Sequence, residues 1–335
     1  MGRAQGSGLK NWKLETGYWQ LIMESATVIP ARFLSVLDFD HETLSACLQR
    51  AAEYKAARAA GVADAAVLAR RHVALLFEKP SLRTRSTFQI AVRELGGDVI
   101  EPGNDVALGG RESIADVARN LERWVFAAVV RTYAQDRLKQ FADAAPRLRV
   151  LNALTNEEHP CQALADCLTL IESWGTLRGR TIAFVGDGNN VATSLAQAAV
   201  MLGAHVRVAS PRGYELPDPN LEDIARIARS GGSIEQLTDP VAAVRDADAV
   251  YTDVWTSMGQ EDETDTRVAV FGRYQVNAAL MSHAHPDALF MHCLPAHRGQ
   301  EVSAEVIDSP ASVVFDQAEN RLHVQKALLV MLARS

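Results

Sequence analysis

Three features predict an α/β protein of two doubly wound domains, each with a mostly parallel sheet flanked by helices. Short apolar runs of the kind that make buried parallel strands alternate with segments of helical periodicity. This alternation pauses near residues 152–162 and restarts after Pro160. The length, 335 residues, suits two cores better than one.

The pattern becomes regular near Phe33. Residues 41–60 form an amphipathic helix between the capping Asp40 and Gly61. A buried strand is expected at 73–77, a helix at 84–95 ended by Gly96 and Gly97, and a short strand at 99–100. Ser113, with Asp116 three residues on, starts a helix that runs to Arg123. A strand at 127–131, a helix near 136–144 and a strand at 149–151 complete the first series. In the second series, helices are expected at 161–174 and 191–202, and strands at 181–185, 205–209, 234–237, 249–251 and 289–292. A terminal helix at 317–332 is expected to return to the first domain. The corresponding domains are 31–158 with 318–335, and 159–317. Residues 1–30 mix Lys, Arg, Gly, Trp and Glu without the apolar core of a secretory signal, and are expected to be a disordered extension.

Composition narrows the function. Hydrophobic residues make up 48% and charged residues 22%, as in ordinary globular proteins. The net charge of −7 disfavours a nucleic-acid binder, so any bound anion must be held by local basic residues. Cys47, Cys161, Cys167 and Cys293 are scattered, with no C-x-x-C pair; this fits a reducing, cytoplasmic setting and neither a disulfide framework nor a zinc ribbon. No apolar run is long enough to span a bilayer. His283, His285, His292 and His297 cluster near Cys293, but their spacings match no standard zinc pattern, and no metal or cofactor is expected.

The strongest chemical signal lies where the first long strand meets its helix. Ser81, Leu82, Arg83, Thr84 and Arg85 place backbone N–H groups, hydroxyls and guanidiniums at a helix start, where the dipole favours an anion. A basic helix start can also be merely solvated. Its position at the carboxyl end of a strand favours the anion, because open α/β sheets bind ligands there. Arg131 ends a second strand and would face the same crevice if the two strands are neighbours; otherwise it is a surface cap. His159 and Gln162, three apart at the next helix start, can face one side of its first turn. The Gly186-Asp187-Gly188 turn after a strand suggests a dinucleotide loop, but the third glycine of that pattern is missing.

S-x-R-T-R at Ser81 and H-P-x-Q at His159, 78 residues apart, resemble the paired signatures of the aspartate/ornithine carbamoyltransferases. The segments D-V-W-T-S-M-G from Asp253, H-C-L-P from His292 and S-V-V-F-D-Q-A-E-N-R from Ser312 are similar to the ornithine branch. The resemblance spans residues 32–332, with Leu82 standing where Thr is common.

It implies ordered transfer of a carbamoyl group from carbamoyl phosphate to the neutral side-chain amine of L-ornithine, giving L-citrulline and phosphate. Ser81, Leu82, Arg83, Thr84, Arg131, His159, Gln162, Cys293, Leu294 and Arg321 would bind carbamoyl phosphate. Arg131, His159, Gln162 and Cys293 would act in catalysis. Asn190, Asp253, Ser257 and Met258 would bind ornithine. It also implies a cytoplasmic homotrimer in arginine biosynthesis, or the reverse reaction in arginine breakdown, with neither nucleic acid nor membrane as partner. Three alternatives stay open on the residues: a relative using putrescine or an acylated ornithine, a nicotinamide dehydrogenase built on the Gly186 turn, and a non-catalytic paralogue.

Overall fold

The computed structural model describes residues 31–103, 108, 110–229, 231–256 and 261–334. The expected extension at 1–30 lies outside them.

The first lobe has a five-stranded parallel sheet in the order β1-β5-β4-β2-β3. Its strands are β1 (Arg32–Phe33), β2 (His72–Phe77), β3 (Asp98–Ile100), β4 (Ala127–Arg131) and β5 (Arg149–Leu154). Around it pack α1 (His41–Ala59), α2 (Leu82–Glu94), α3 (Ile114–Trp124) and α4 (Gln135–Ala144). Strand β4 is buried throughout, and β2 throughout except His72. Helices cover both faces of such a sheet, so apolar runs replace alternation. The caps act where the sequence placed them: Asp40 accepts from the N–H of Thr43 at 2.8 Å, and Ser113 from that of Asp116 at 3.1 Å.

Helix α5 (Pro160–Trp174) connects the lobes. Proline at its first turn supplies a fixed φ and lacks an N–H that would go unused there, and Gly175 closes it in the left-handed conformation, φ 79°. The second sheet, also parallel, has the order β10-β9-β6-β7-β8. It comprises β6 (Thr181–Val185), β7 (His205–Ala209), β8 (Ser233–Leu237), β9 (Ala249–Thr252) and β10 (Leu289–His292). Helices α6 (Asn190–Met201), α7 (Asp218–Ile227), α8 (Pro240–Val244), α9 (Thr264–Phe271), α10 (Ala278–Met281) and α11 (Ala304–Ile307) surround it.

The last helix, α12 (Val314–Arg334), packs on α1, α2 and α5, returning the chain to the first lobe. Lys326, fully buried on α12, lies 2.5 Å from Asp64 and is also paired with Glu94 at the end of α2. One apolar core runs through α5, α6 and α12 and touches both sheets.

The structure departs from the sequence reading at element ends and in the helices between the strands of the second lobe, α7 to α11, which the sequence reading gave no bounds. Strand β5 runs on to Leu154, and within it the amide nitrogen of buried Asn152 donates to the Leu34 carbonyl at 2.8 Å. Helix α12 begins three residues before the expected Gln317. Strand β1, two residues long, is too short to carry a periodic signal.

Candidate active site

The cleft is built at the carboxyl ends of the strands of both sheets. In the first lobe β2 pairs with β4, with Phe77 beside Arg131, so the loop after β2 and the end of β4 are neighbours. Ser81 is the N-cap of α2 and its hydroxyl makes no cap bond. Leu82 points outward, 77% exposed, so at this position only its backbone faces the helix start. The two arginines of the motif diverge. Arg85 lies 2.5 Å from the Glu101 carboxylate, whereas Arg83 is turned toward the cleft, where the Asp253 carboxylate partly offsets the cost of its burial.

Three guanidiniums converge: Arg83, Arg131 and, from α12, Arg321. Burial holds all three below the usual arginine range, and Arg321 and Arg83 add to this by repelling Arg131, which falls to about 10. Arg321 donates to Thr84 Oγ1 and, at 2.9 Å, to Gln162 Oε1. The Nε atoms of Arg131 and Arg321 are buried without a hydrogen-bond partner, and so is Nδ1 of His159. Burial, then the same three arginines, drives the His159 pKa well down, so its imidazole is neutral at neutral pH. Buried donors without acceptors are costly, and repelling cations in one place are more so. Such a cluster can accept an anion with several oxygens.

The second lobe supplies the opposite wall. Asn189 caps α6 by accepting from the N–H groups of Val191 and Ala192, and its amide donates to Asp253 Oδ2 at 2.8 Å. Cys293, just past β10, donates its thiol to Asp253 Oδ1 at 2.9 Å. Burial, reinforced by Asp253, pushes the Cys293 pKa well up, so the sulfur is a protonated donor and not a nucleophilic thiolate. Asp253, His292 and Cys293 offer possible ligand atoms within 4.8 Å of one another. His292, however, already uses both ring nitrogens: Nε2 lies 3.2 Å from Glu301 and Nδ1 accepts from the Leu294 N–H at 2.8 Å. Leu294 itself adopts a left-handed φ of 59°.

Asn190 sits at the start of α6 and its amide donates to the Thr155 carbonyl at 2.5 Å, bridging the lobes. Ser257 and Met258 lie outside the described residues. The stretch leading to them is anchored by Arg267, which donates to Asp187 at 2.8 Å and to the Trp255 carbonyl at 2.9 Å.

The glycine turn after β6 has a role of its own. A Cβ on Gly188 would lie 2.4 Å from the Leu216 nitrogen. The chain's own 214–216 segment therefore packs directly on Gly188 and leaves no room for a side chain there.

Sequence reasoning missed several members of the site. It left Asn189 as a turn former, and it overlooked Asp166, Tyr251 and Gln317, whose side chains meet beside Gln162. Asp166 stands four residues after Gln162, on the same helix face, and that spacing was the one signal available.

Fold and site together define a two-lobed α/β enzyme whose cleft offers a basic wall on one lobe and an acidic wall on the other. The family models agree: residues 32–172 match the carbamoyl-P binding domain, and residues 178–332 the Asp/Orn binding domain, of aspartate/ornithine carbamoyltransferase. The chain belongs to the aspartate/ornithine carbamoyltransferase family. It is 49% identical over 303 residues to the ornithine carbamoyltransferase of Symbiobacterium thermophilum, covering 90% of this chain and 97% of that protein. It is 52% identical over 263 residues to the anabolic ornithine carbamoyltransferase of Pyrococcus furiosus, covering 78% and 83%. The solved structure of ornithine carbamoyltransferase from Pyrococcus furiosus superposes with a TM-score of 0.87 at 47% identity, covering 90% of this chain and 97% of that one. Among the described residues no helix is long and apolar enough to cross a membrane.

Proposed function

We propose that this chain is an ornithine carbamoyltransferase that converts carbamoyl phosphate and L-ornithine to L-citrulline and phosphate. The observation that carries this reading is the convergence of Arg83 with buried Arg131, Arg321 and neutral His159, the last three with unpaired nitrogens, opposite the Asp253–Cys293 pair. The N-terminus of α2, with Ser81, Leu82, Arg83 and Thr84, holds the phosphate. Arg131 bridges phosphate and carbonyl oxygen, and His159 and Gln162 hold the carbamoyl end.

When the ornithine amine attacks, the carbonyl oxygen gains negative charge. Arg131 and a neutral imidazole N–H aimed at it act as an oxyanion hole, and water is excluded by the buried setting. As the C–N bond forms, the C–O bond to phosphate breaks; the departing phosphate gains charge, which the arginines offset, and takes up the proton that the attacking nitrogen sheds. Asp253 takes the α-ammonium of ornithine, with Asn190, Ser257 and Met258 completing the amino-acid pocket. The attacking amine must be neutral, and the protonated Cys293 thiol beside Asp253 adds no charge to that wall. Leu294 offers its carbonyl to the reacting nitrogen. The assembly is a cytoplasmic homotrimer, and the direction is arginine biosynthesis.

Citrulline formation from carbamoyl phosphate and ornithine tests the reaction directly. Equal or better turnover of putrescine would overturn the substrate assignment, and failure of phosphonoacetyl-ornithine to bind would overturn the cleft. Light scattering tests the trimer, with a stable monomer as the contrary result.

A further inference from the structure

Asp166 lies on α5 with no solvent exposure, and nothing in the reaction as derived above uses it. Its Oδ1 accepts from two side-chain amides, Gln162 Nε2 and Gln317 Nε2, each at 2.8 Å. Its Oδ2 accepts from the Tyr251 hydroxyl at 3.1 Å. Each donor leads to a different part of the cleft. Gln162 is the carbamoyl-side amide, and its Oε1 receives Arg321. Gln317, on α12, accepts through Oε1 from the backbone N–H of His292 at 3.0 Å, one residue before Cys293. Tyr251 is in β9, two residues before Asp253, with its ring stacked on Phe184 at 5.4 Å.

We propose that Asp166 is a positioning residue that sets both walls of the cleft from one carboxylate: the amide of Gln162 on one side, and the strand ends bearing Cys293 and Asp253 on the other. The inference rests on the function proposed above. A primary amide has nearly the same outline either way round, so a partner on one side decides which end faces the ligand. By accepting from Nε2, Asp166 leaves the Gln162 oxygen toward Arg321. The same Asp166 oxygen takes Gln317, so the tilt of the Gln162 amide and the placing of the last strand share one anchor. Burial raises the Asp166 pKa to about 6, with Arg321 as the opposing positive charge. An apolar side chain would pack here without that desolvation, but it would leave three buried donors unmatched.

Three variants test this: Asp166→Ala, Asp166→Asn and Tyr251→Phe. The readouts are kcat and KM for each substrate, and calorimetric binding of phosphonoacetamide, a stable analogue of carbamoyl phosphate. Asp166→Ala, folded by circular dichroism, is expected to lose about tenfold or more in kcat/KM for both substrates, the scale of one unmatched buried donor. Asp166→Asn keeps the shared Oδ1 acceptor, and the Tyr251 hydroxyl can turn to accept, so most of the loss should be rescued. Tyr251→Phe cuts only the branch to β9. It should lower kcat/KM for ornithine and leave phosphonoacetamide affinity within about twofold.

The inference is overturned if folded Asp166→Ala keeps both substrates near wild type, if Asp166→Asn is as impaired as Asp166→Ala, or if Tyr251→Phe weakens both ligands alike. Should Asp166→Ala fail to fold, the other two variants decide. A wild-type protein that makes no citrulline in the same assay would instead sink the reading of the cleft, leaving the two failures distinguishable.

Discussion

Replacing Arg131 by Met separates what this guanidinium does for the reaction from what it does to the fold. Arg131 is 6% exposed, its Nε is unpartnered, and two other arginines repel it. Burial, then the repulsion of Arg321, lowers its pKa to about 10, which corresponds to about 3 kcal/mol against the charged form in the folded chain. A cation with a lowered folded pKa destabilises the fold wherever it is charged in both states. The penalty is therefore fully present at neutral pH and is relieved only as pH climbs through about 10 and above. Met retains the length and loses the charge. The ligand-free variant should be more stable than wild type by up to about 3 kcal/mol, a rise in Tm on the order of 5 °C for a chain of this size. Citrulline formation should fall by about a hundredfold or more, as when an oxyanion donor is removed. Scanning calorimetry with and without phosphonoacetyl-ornithine reads both effects, and the ligand should raise the Tm of wild type far more than that of the variant. A variant less stable than wild type in the absence of ligand would refute the argument, because Arg131 would then be supporting the fold. Equal stabilisation of both proteins by the ligand would refute its place in the anion site.

Other consequences are open to simpler measurements. Activity at limiting ornithine should climb steeply between about pH 6 and 9, because a side-chain amine with a pKa near 10.4 is mostly protonated there; a flat profile speaks against attack by the neutral amine. Lys326→Met should destabilise the protein by about 3–5 kcal/mol, since Asp64 and Glu94 lose the buried cation between them; urea unfolding measures this, and an unchanged midpoint would mean the pair contributes nothing. Gly188→Ala places a methyl 2.4 Å from the Leu216 backbone nitrogen, so a loss of about 1–3 kcal/mol and a higher KM for ornithine are expected from the shifted turn; wild-type values for both would show that the 214–216 segment yields freely.

The sequence by itself determined the architecture and the chemistry of the first lobe. Apolar runs, the Asp40 and Ser113 caps and the Gly61 and Gly96 stops are local signals, and they placed the long strands and helices to within a few residues. The motifs at Ser81 and His159 were equally legible, because each is a run of neighbouring residues at a helix start. Tertiary structure alone decided how remote residues meet. Arg321 reads on its own as a surface helix arginine, but α12 returns to the first lobe and buries it against Thr84, 237 positions away. Asn190 uses one of its two amide hydrogens to reach the Thr155 carbonyl of the other lobe, 35 positions away. Asp166 and Gln317 are 151 positions apart, and no periodicity links them. A buried carboxylate shows only its residue type in sequence. Its donors are chosen by packing, because chain segments that share no local pattern are brought within hydrogen-bond reach only when both lobes close on the helix between them.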